Sequence, residues 1–358
     1  MAPIVAIGSG QGRRLRRRRW SVAAAAGIVA IAGCSAPGSS LESAPAVSLA
    51  AIGATLHDPV WSYHDSDLLG LTEDHRLAVI TYTGPGTAHT RLSAPMGSGR
   101  NLQISQKDDR HVFVPQPERG TVAVVDIASL QPVAEFDAGP APSYLAEDAG
   151  MRVLLALAAD GSSVTPVDQY GFRKLPTATY SGESADTIDG SNRGRAIEYH
   201  LYGASGIRYY KGPTSPPEER GSLPMAVAVW AGDGTQVTRS YVAGRDDKVL
   251  YAVDSRRGGE GLDVLAHTEL SSPIRYLGTD DTRIYAATDR DVTVLETASF
   301  TGFPNGSIRV IRTIDYRTGL PSGPVASAPL SGMAIGPKRV YLTLRGQPYV
   351  ISVAKPHL

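Results

Sequence analysis

From about residue 60 onward the chain carries short apolar runs, rich in β-branched and aromatic residues, divided by Gly, Pro, Asp and Asn. No stretch there keeps the apolar spacing of a long amphipathic helix, so the pattern predicts many short strands. The runs are periodic. A strand ending in an acidic residue recurs at Val124-Val125-Asp126, Pro166-Val167-Asp168, Ala252-Val253-Asp254 and Val294-Leu295-Glu296, at steps of 42, 86 and 42 residues. Because 86 is twice 43, a degenerate copy is expected near Lys211, after Tyr209-Tyr210, and an earlier one near residue 84, after the run from Leu77 to Thr83. The last copy, Ile351-Ser352-Val353-Ala354, follows Glu296 by 58 residues, which predicts an insertion around Thr301 to Gly319. A second marker keeps step with the first. Arg76, Arg110, Arg152 and Arg283 each follow a turn and open an apolar run, as Arg339 does after Pro337-Lys338. Arg110 and Arg152 both stand 16 residues before the matching Asp.

A repeat of roughly 40–45 residues made of four short strands is what a β-propeller blade requires. Each blade cannot bury both faces alone, and a closed ring of blades solves that. Marker positions near 84, 126, 168, 211, 254, 296 and 354 predict an all-β fold, a seven-bladed β-propeller of four-stranded blades filling residues 54–358 as one domain. Closure is expected between a strand near Ala54 to Asp58 and the last blade ending at Val353. Pro176, Gly182, Gly190, Pro213, Pro216 and Pro217 predict long loops between about 170 and 245. The segment Thr121-Val-Ala-Val-Val-Asp126-Ile-Ala-Ser129, followed by Pro132-Val-Ala-Glu-Phe136-Asp-Ala-Gly139, resembles the YVTN-type repeat. The resemblance covers residues 97–156 and 240–300. It implies a propeller of lactonase-like or quinoprotein-like type and no one activity. Arg110 and Arg152 depart from it where that repeat has Asp-Gly, as does Pro166 inside a strand.

The N-terminus has a different character. Arg13, Arg14 and Arg16 to Arg19 precede Val22 to Ala32, an uncharged stretch of eleven residues. Such a span is too short for a bilayer-crossing helix of about 20 residues and reads as an export signal. It ends in Ile31-Ala32-Gly33-Cys34, which resembles the bacterial lipobox: a branched residue, two small residues, then cysteine. The resemblance implies a signal peptide over 1–33, a lipid (palmitate-bearing) anchor on Cys34, and a cell-membrane protein on the extracytoplasmic face. Residues 34–53, which include the Ser/Pro/Ala-rich SAPGSSLESAP, read as a flexible tether. With the repeat, the whole looks like an actinobacterial-type envelope lipoprotein.

Charge and cysteine count narrow the function. Formal charge over the 358 residues is zero. Six Arg lie in 1–33 without an acidic residue, so residues 34–358 hold 29 basic and 35 acidic groups, a net −6. That balance argues against a nucleic-acid partner, which needs a basic face. One cysteine makes no intrachain disulfide and no multi-cysteine metal site.

Candidate chemistry comes from the ring. Counting nine residues back from the marker Arg reaches Asp67, Asn101 and Ser143, and a one-residue shorter turn reaches Arg275. These should start the innermost strands and ring one channel mouth, either as a polar ligand site or as solvated strand ends. His64-Asp65-Ser66-Asp67 is the densest set of potential metal ligands, but one segment supplies too few oxygens for calcium. The metal, if any, is unknown. Asp126, Asp168 and Asp254 read as turn residues, since an Asp side chain bonds backbone N–H groups two residues on. Tyr199, Tyr202, Tyr209 and Tyr210 suit either packing between blades or an aromatic binding patch. No G-x-S-x-G elbow is present, and the eight His are scattered. The expectation is a lipid-anchored propeller without cofactor that binds or scaffolds an envelope protein or glycan and is not an enzyme. The alternative is a metal-dependent lactonase-like hydrolase, with Asp67 and Asn101 at one divalent cation such as calcium.

Overall fold

A computed structural model describes residues 46–356, apart from 85, 181, 183, 213–217 and 257–259. The signal, Cys34 and most of the tether lie outside the described residues, as do Pro213, Pro216 and Pro217. Among the described residues no helix is long and apolar enough to cross a membrane.

The fold is all-β. Antiparallel strands follow one another in chain order as four-stranded meanders, and the described residues add one short α-helix, Pro324–Ser327, and one 3-10 turn, Pro117–Arg119. The second unit shows the plan: Gln103–Ile104, His111–Gln116, Thr121–Asp126 and Pro132–Asp137, each bonded to the next. Five sheets are of this four-stranded kind, and one has eight strands. The eight-stranded sheet is two such meanders meeting at a single parallel pair, Ala51 with Thr87.

Alternation explains why the units stack. In the strand Leu77–Gly84 of the first unit, Ala78 and Ile80 face one neighbour, with Trp61, Leu68 and Tyr341. Leu77 and Val79 face the other, with Leu102, Val112 and Val114. Each sheet is therefore apolar on both faces, and the core is a series of layers between sheets instead of one central mass. The first strands of successive units are His57–Ser62, Gln103–Ile104, Pro142–Asp148, Thr187–Gly190, Val229–Gly232, Ile274–Thr279 and Leu330–Ile335. Each touches the next and the last touches the first, so they form a closed ring.

The acidic marker falls at the end of the third strand in unit after unit: Asp126, Asp168 and Glu296 end theirs, and Lys211 and Ala354 end theirs without an acid. The extra length after Glu296 lies in the connection 297–309 and in the segment 316–329 that holds the short helix. Closure differs from the expectation. The closing strand is Val47–Ala51, pairing with Gln347–Ala354 through Val47 with Val353 and Leu49 with Ile351. Residues 47–51, expected to belong to a flexible tether over 34–53, are thus a paired strand, with Ala50 and the following Ile52 buried. His57 and Asp58 open an innermost strand instead.

Candidate functional site

The inner strands surround a cavity of about 470 Å³ that residues from every unit line. Four of these strands carry a register shift close to their start: between His57 and Val60, Pro142 and Tyr144, Ile274 and Tyr276, and Leu330 and Gly332. A β-bulge re-aims the side chains that follow it. Tyr144 and Tyr276 line the cavity, while their predecessors Ser143 and Arg275 do not.

The expected ring residues therefore have other fates. Ser143 is buried, and its carbonyl accepts from Arg100 N at 2.7 Å. That contact needs Gly99, where a Cβ would lie 2.6 Å from the same carbonyl. Asn101 does line the cavity, but its amide bridges to the next unit. Nδ2 donates to Leu145 O at 2.8 Å, and Oδ1 accepts from Leu145 N at 2.7 Å. Arg275 sits outside, between Asp289, which Nε reaches at 2.7 Å, and Asp246. Those two carboxylates hold its pKa above the ordinary guanidinium value.

Asp67 is not at the start of an innermost strand. It opens the second strand of its unit, opposite Ser62, and by alternation shares the face of Leu69 and Leu71. Burial raises its pKa, opposed by a Thr81 hydrogen bond, and Oδ1 has no partner among the described residues. The count went astray because Arg76 precedes the third strand of its unit, whereas Arg110 and Arg152 precede the second. Counting nine back from Asp67 itself reaches Asp58, which does line the cavity.

The cavity wall is built from Asp58, Arg100, Tyr144, Asp189, Trp230 and Tyr276, with polar Gln103, Thr187, Asn192 and Thr279. Asp58 bonds His57 Nδ1 at 2.8 Å. The Arg100 guanidinium lies 5.2 Å from the Tyr144 ring centre and donates to Asp186 O at 2.6 Å. Trp230 is fixed twice. It stacks on Tyr202 with ring centres 5.1 Å apart, and Nε1 donates to Thr187 Oγ1 at 2.7 Å. Asp189 packs so closely on Gly232 that a Cβ there would lie 2.4 Å from Oδ2. No ion pair joins Asp189 to a cation among the described residues, and desolvation inside the ring pushes its carboxyl up to about 7. Desolvation, then Asp58, raises the Tyr144 pKa; Arg100 opposes this and Asp189 adds to it, so both carboxylates act on this one ring.

Other candidates resolve into structure. Asp126 Oδ1 accepts from Ser129 N at 2.7 Å and Ser129 Oγ at 2.6 Å, and Asp168 accepts from Gly171 N at 3.0 Å, both as turns require. Asp254 instead pairs with Arg239 Nε at 3.2 Å. Both ring nitrogens of His64 are engaged, Nδ1 with Asp65 at 2.8 Å and Nε2 with Arg110 Nε at 3.0 Å. Among the described residues no group of three or more His, Cys, Asp or Glu could hold a metal ion. The tyrosine cluster is packing: Tyr199, Tyr202, Tyr209 and Tyr210 are all buried, and His200 stacks between Tyr202 and Tyr209. Burial without a partner for Nε2 lowers the His200 pKa to about 4. Sequence reasoning missed Asp58, Arg100, Tyr144, Asp189, Trp230 and Tyr276. The available signal was the repeat itself, since Asn101 stepped back by 43 lands on Asp58.

No protein-family model matches the chain, and no curated protein does. Solved structures match well. A chain of the Mitotic Checkpoint Complex aligns with TM-score 0.65 and 11% identity, over 86% of this chain and 94% of that one. U3-55K aligns at 0.63 and 12%, over 86% and 98%. The RRP9 WD40 repeats align at 0.64 and 12%, over 86% and 97%. Such likeness shows a β-propeller fold. With 1611 solved chains matching, the fold alone selects no activity.

Proposed function

We propose that this chain is a lipid-anchored envelope protein whose seven-bladed, YVTN-like propeller binds or scaffolds a partner and performs no catalysis. Signal residues 1–33 are removed, Cys34 carries the lipid, and the propeller stands on the extracytoplasmic face, within reach of an envelope protein or glycan. The seven-blade reading takes Val47–Ala51 as the fourth strand of the last blade, which divides the eight-stranded sheet at Ala51 and Thr87. The observation that carries the binding role is the cavity lined from every inner strand, with rings and carboxylates placed like a recognition site. The hydrolase alternative has little behind it: Asn101 is engaged with Leu145, Asp67 faces a sheet interface, and no described metal-competent group is present.

The anchor is tested by Cys34→Ala. The wild type should incorporate an alkyne-tagged fatty acid and sediment with membranes, while the variant should lose both the tag and the membrane association. A tag retained in the variant overturns the anchor. Turnover of a lactone or ester that a chelator abolishes overturns the non-enzymatic role.

A further inference from the structure

We infer that the central cavity binds a linear aliphatic diamine, with Asp58 and Asp189 as the two anionic ends and Tyr144, Trp230 and Tyr276 as its walls. The inference rests on the binding role proposed above and names the ligand class for that site. Asp58 belongs to the first inner strand and Asp189 to the fourth, so the closed order of strands sets them on different sides of the ring. Both line one cavity, whose size falls in the range of about 300–1000 Å³ common for small-molecule sites.

Charge selects the ligand's sign. Arg100 is the one basic side chain in the lining, and it is already engaged with Asp186 O and the face of Tyr144. Its guanidinium is thus directed to Asp186 and Tyr144, and among the described residues no ion pair joins it or any other cation to Asp189. A carboxylate held among protein atoms without a cation is costly, and an ammonium group arriving there recovers that cost. The Arg100–Tyr144 contact also shows that a ring in this wall accepts a cation over its face. Trp230 and Tyr276 offer further aromatic surface, and Trp230 is fixed before any ligand arrives. The alkyl stem of a diamine suits these rings, while its two ammonium groups suit Asp189 and Asp58, at Asp58 beside or in exchange for His57 Nδ1, which lies 2.8 Å from Asp58 Oδ2.

The test is calorimetric titration of the full chain in detergent at pH 8, where the Asp189 carboxyl is mostly ionised, with 1,5-diaminopentane, and with 1,5-pentanediol and glutarate as controls. The diamine should bind and the controls should not. Asp189→Asn and Asp58→Asn should each weaken diamine binding by at least about tenfold. At pH 8 Asp189→Asn should also keep or raise the melting temperature of the unliganded protein, because it removes a charge that has no counter-charge there. No heat from the diamine, equal binding of the diol, binding of glutarate in its place, or unchanged affinity in Asp189→Asn each overturns the inference. The wild-type contrast between diamine and diol needs no variant to fold. Failure here leaves the Cys34 labelling result intact, and loss of the label leaves the titration intact.

Discussion

Glu147 and Asp148 sit side by side on the inner strand Pro142–Asp148. Burial pushes the Glu147 carboxyl up to about 8, against hydrogen bonds from Gln169 and Gln106. Burial likewise pushes Asp148 up to about 6, although Glu198 N and Met151 N donate to it at 2.8 and 2.9 Å. With Asp189 near 7, three carboxyls hold protons in the folded chain that the unfolded chain has already released. The folded state therefore binds more protons between the ordinary carboxylate range and about pH 8, and stability falls as pH rises through that window. His200, held neutral down to about pH 4 in the fold, opposes this below the ordinary imidazole value. It is one group against three, so the melting temperature should be higher at pH 5 than at pH 8. Glu147→Gln should raise it by about 1–3 °C at pH 8 and leave it unchanged at pH 5. Thermal melts of both proteins at both pH values decide this, and an unchanged pH dependence in Glu147→Gln refutes it. None of this was legible beforehand, since an acidic residue in a sequence carries no sign of whether it will be desolvated. The same holds for Asn101: its type suggested a ligand, and only the fold shows its amide bridging to Leu145.

Among elements, the strand Val47–Ala51 bears the most consequence for its length. Five residues pair with the edge of Gln347–Ala354, and Ser48 Oγ meets Ser352 Oγ at 2.7 Å across the seam. A chain lacking residues 46–51 leaves that edge and its apolar face open, a template for aggregation. Its melting temperature should drop by roughly 10 °C or more, with oligomers on size-exclusion chromatography. A monomer with the wild-type melting point would refute the closing role. The strand was hidden in the sequence because a Ser/Pro/Ala-rich stretch precedes it and three of its five residues, Ser48, Ala50 and Ala51, are small. The apolar content near Ala54 to Asp58 could not say whether that segment closes the ring or lines it. The third strands were plain for the opposite reason: each ends where the chain must turn, and an acidic side chain at such a turn leaves a mark that recurs.

At the scale of the molecule, the repeat was legible because every unit faces the same physical demand, two apolar faces and a turn between strands. What periodicity cannot give is the local offset within one unit. Arg76 and Arg110 look alike in sequence, yet one opens a third strand and the other a second, and that difference moved Asp67 into a sheet interface. Bulges add a further residue of slip, which is why Tyr144 and Tyr276, and not Ser143 and Arg275, look into the cavity. Because each unit buries its faces only against its neighbours and the ring has no free end, the propeller should unfold in one transition. Scanning calorimetry should then give matching calorimetric and van't Hoff enthalpies, and two resolved peaks would refute it.

The seam also sets a clock. Residues 47 and 353 are partners, so the chain through residue 353 must be synthesised before the strand Val47–Ala51 finds its place. Until the ribosome has delivered the last strand, the early units have an unsealed neighbour and the ring cannot lock. Pairings this distant in sequence are slow to form. The seam therefore cannot form until residues 347–354 have been made, however early residues 47–51 emerge.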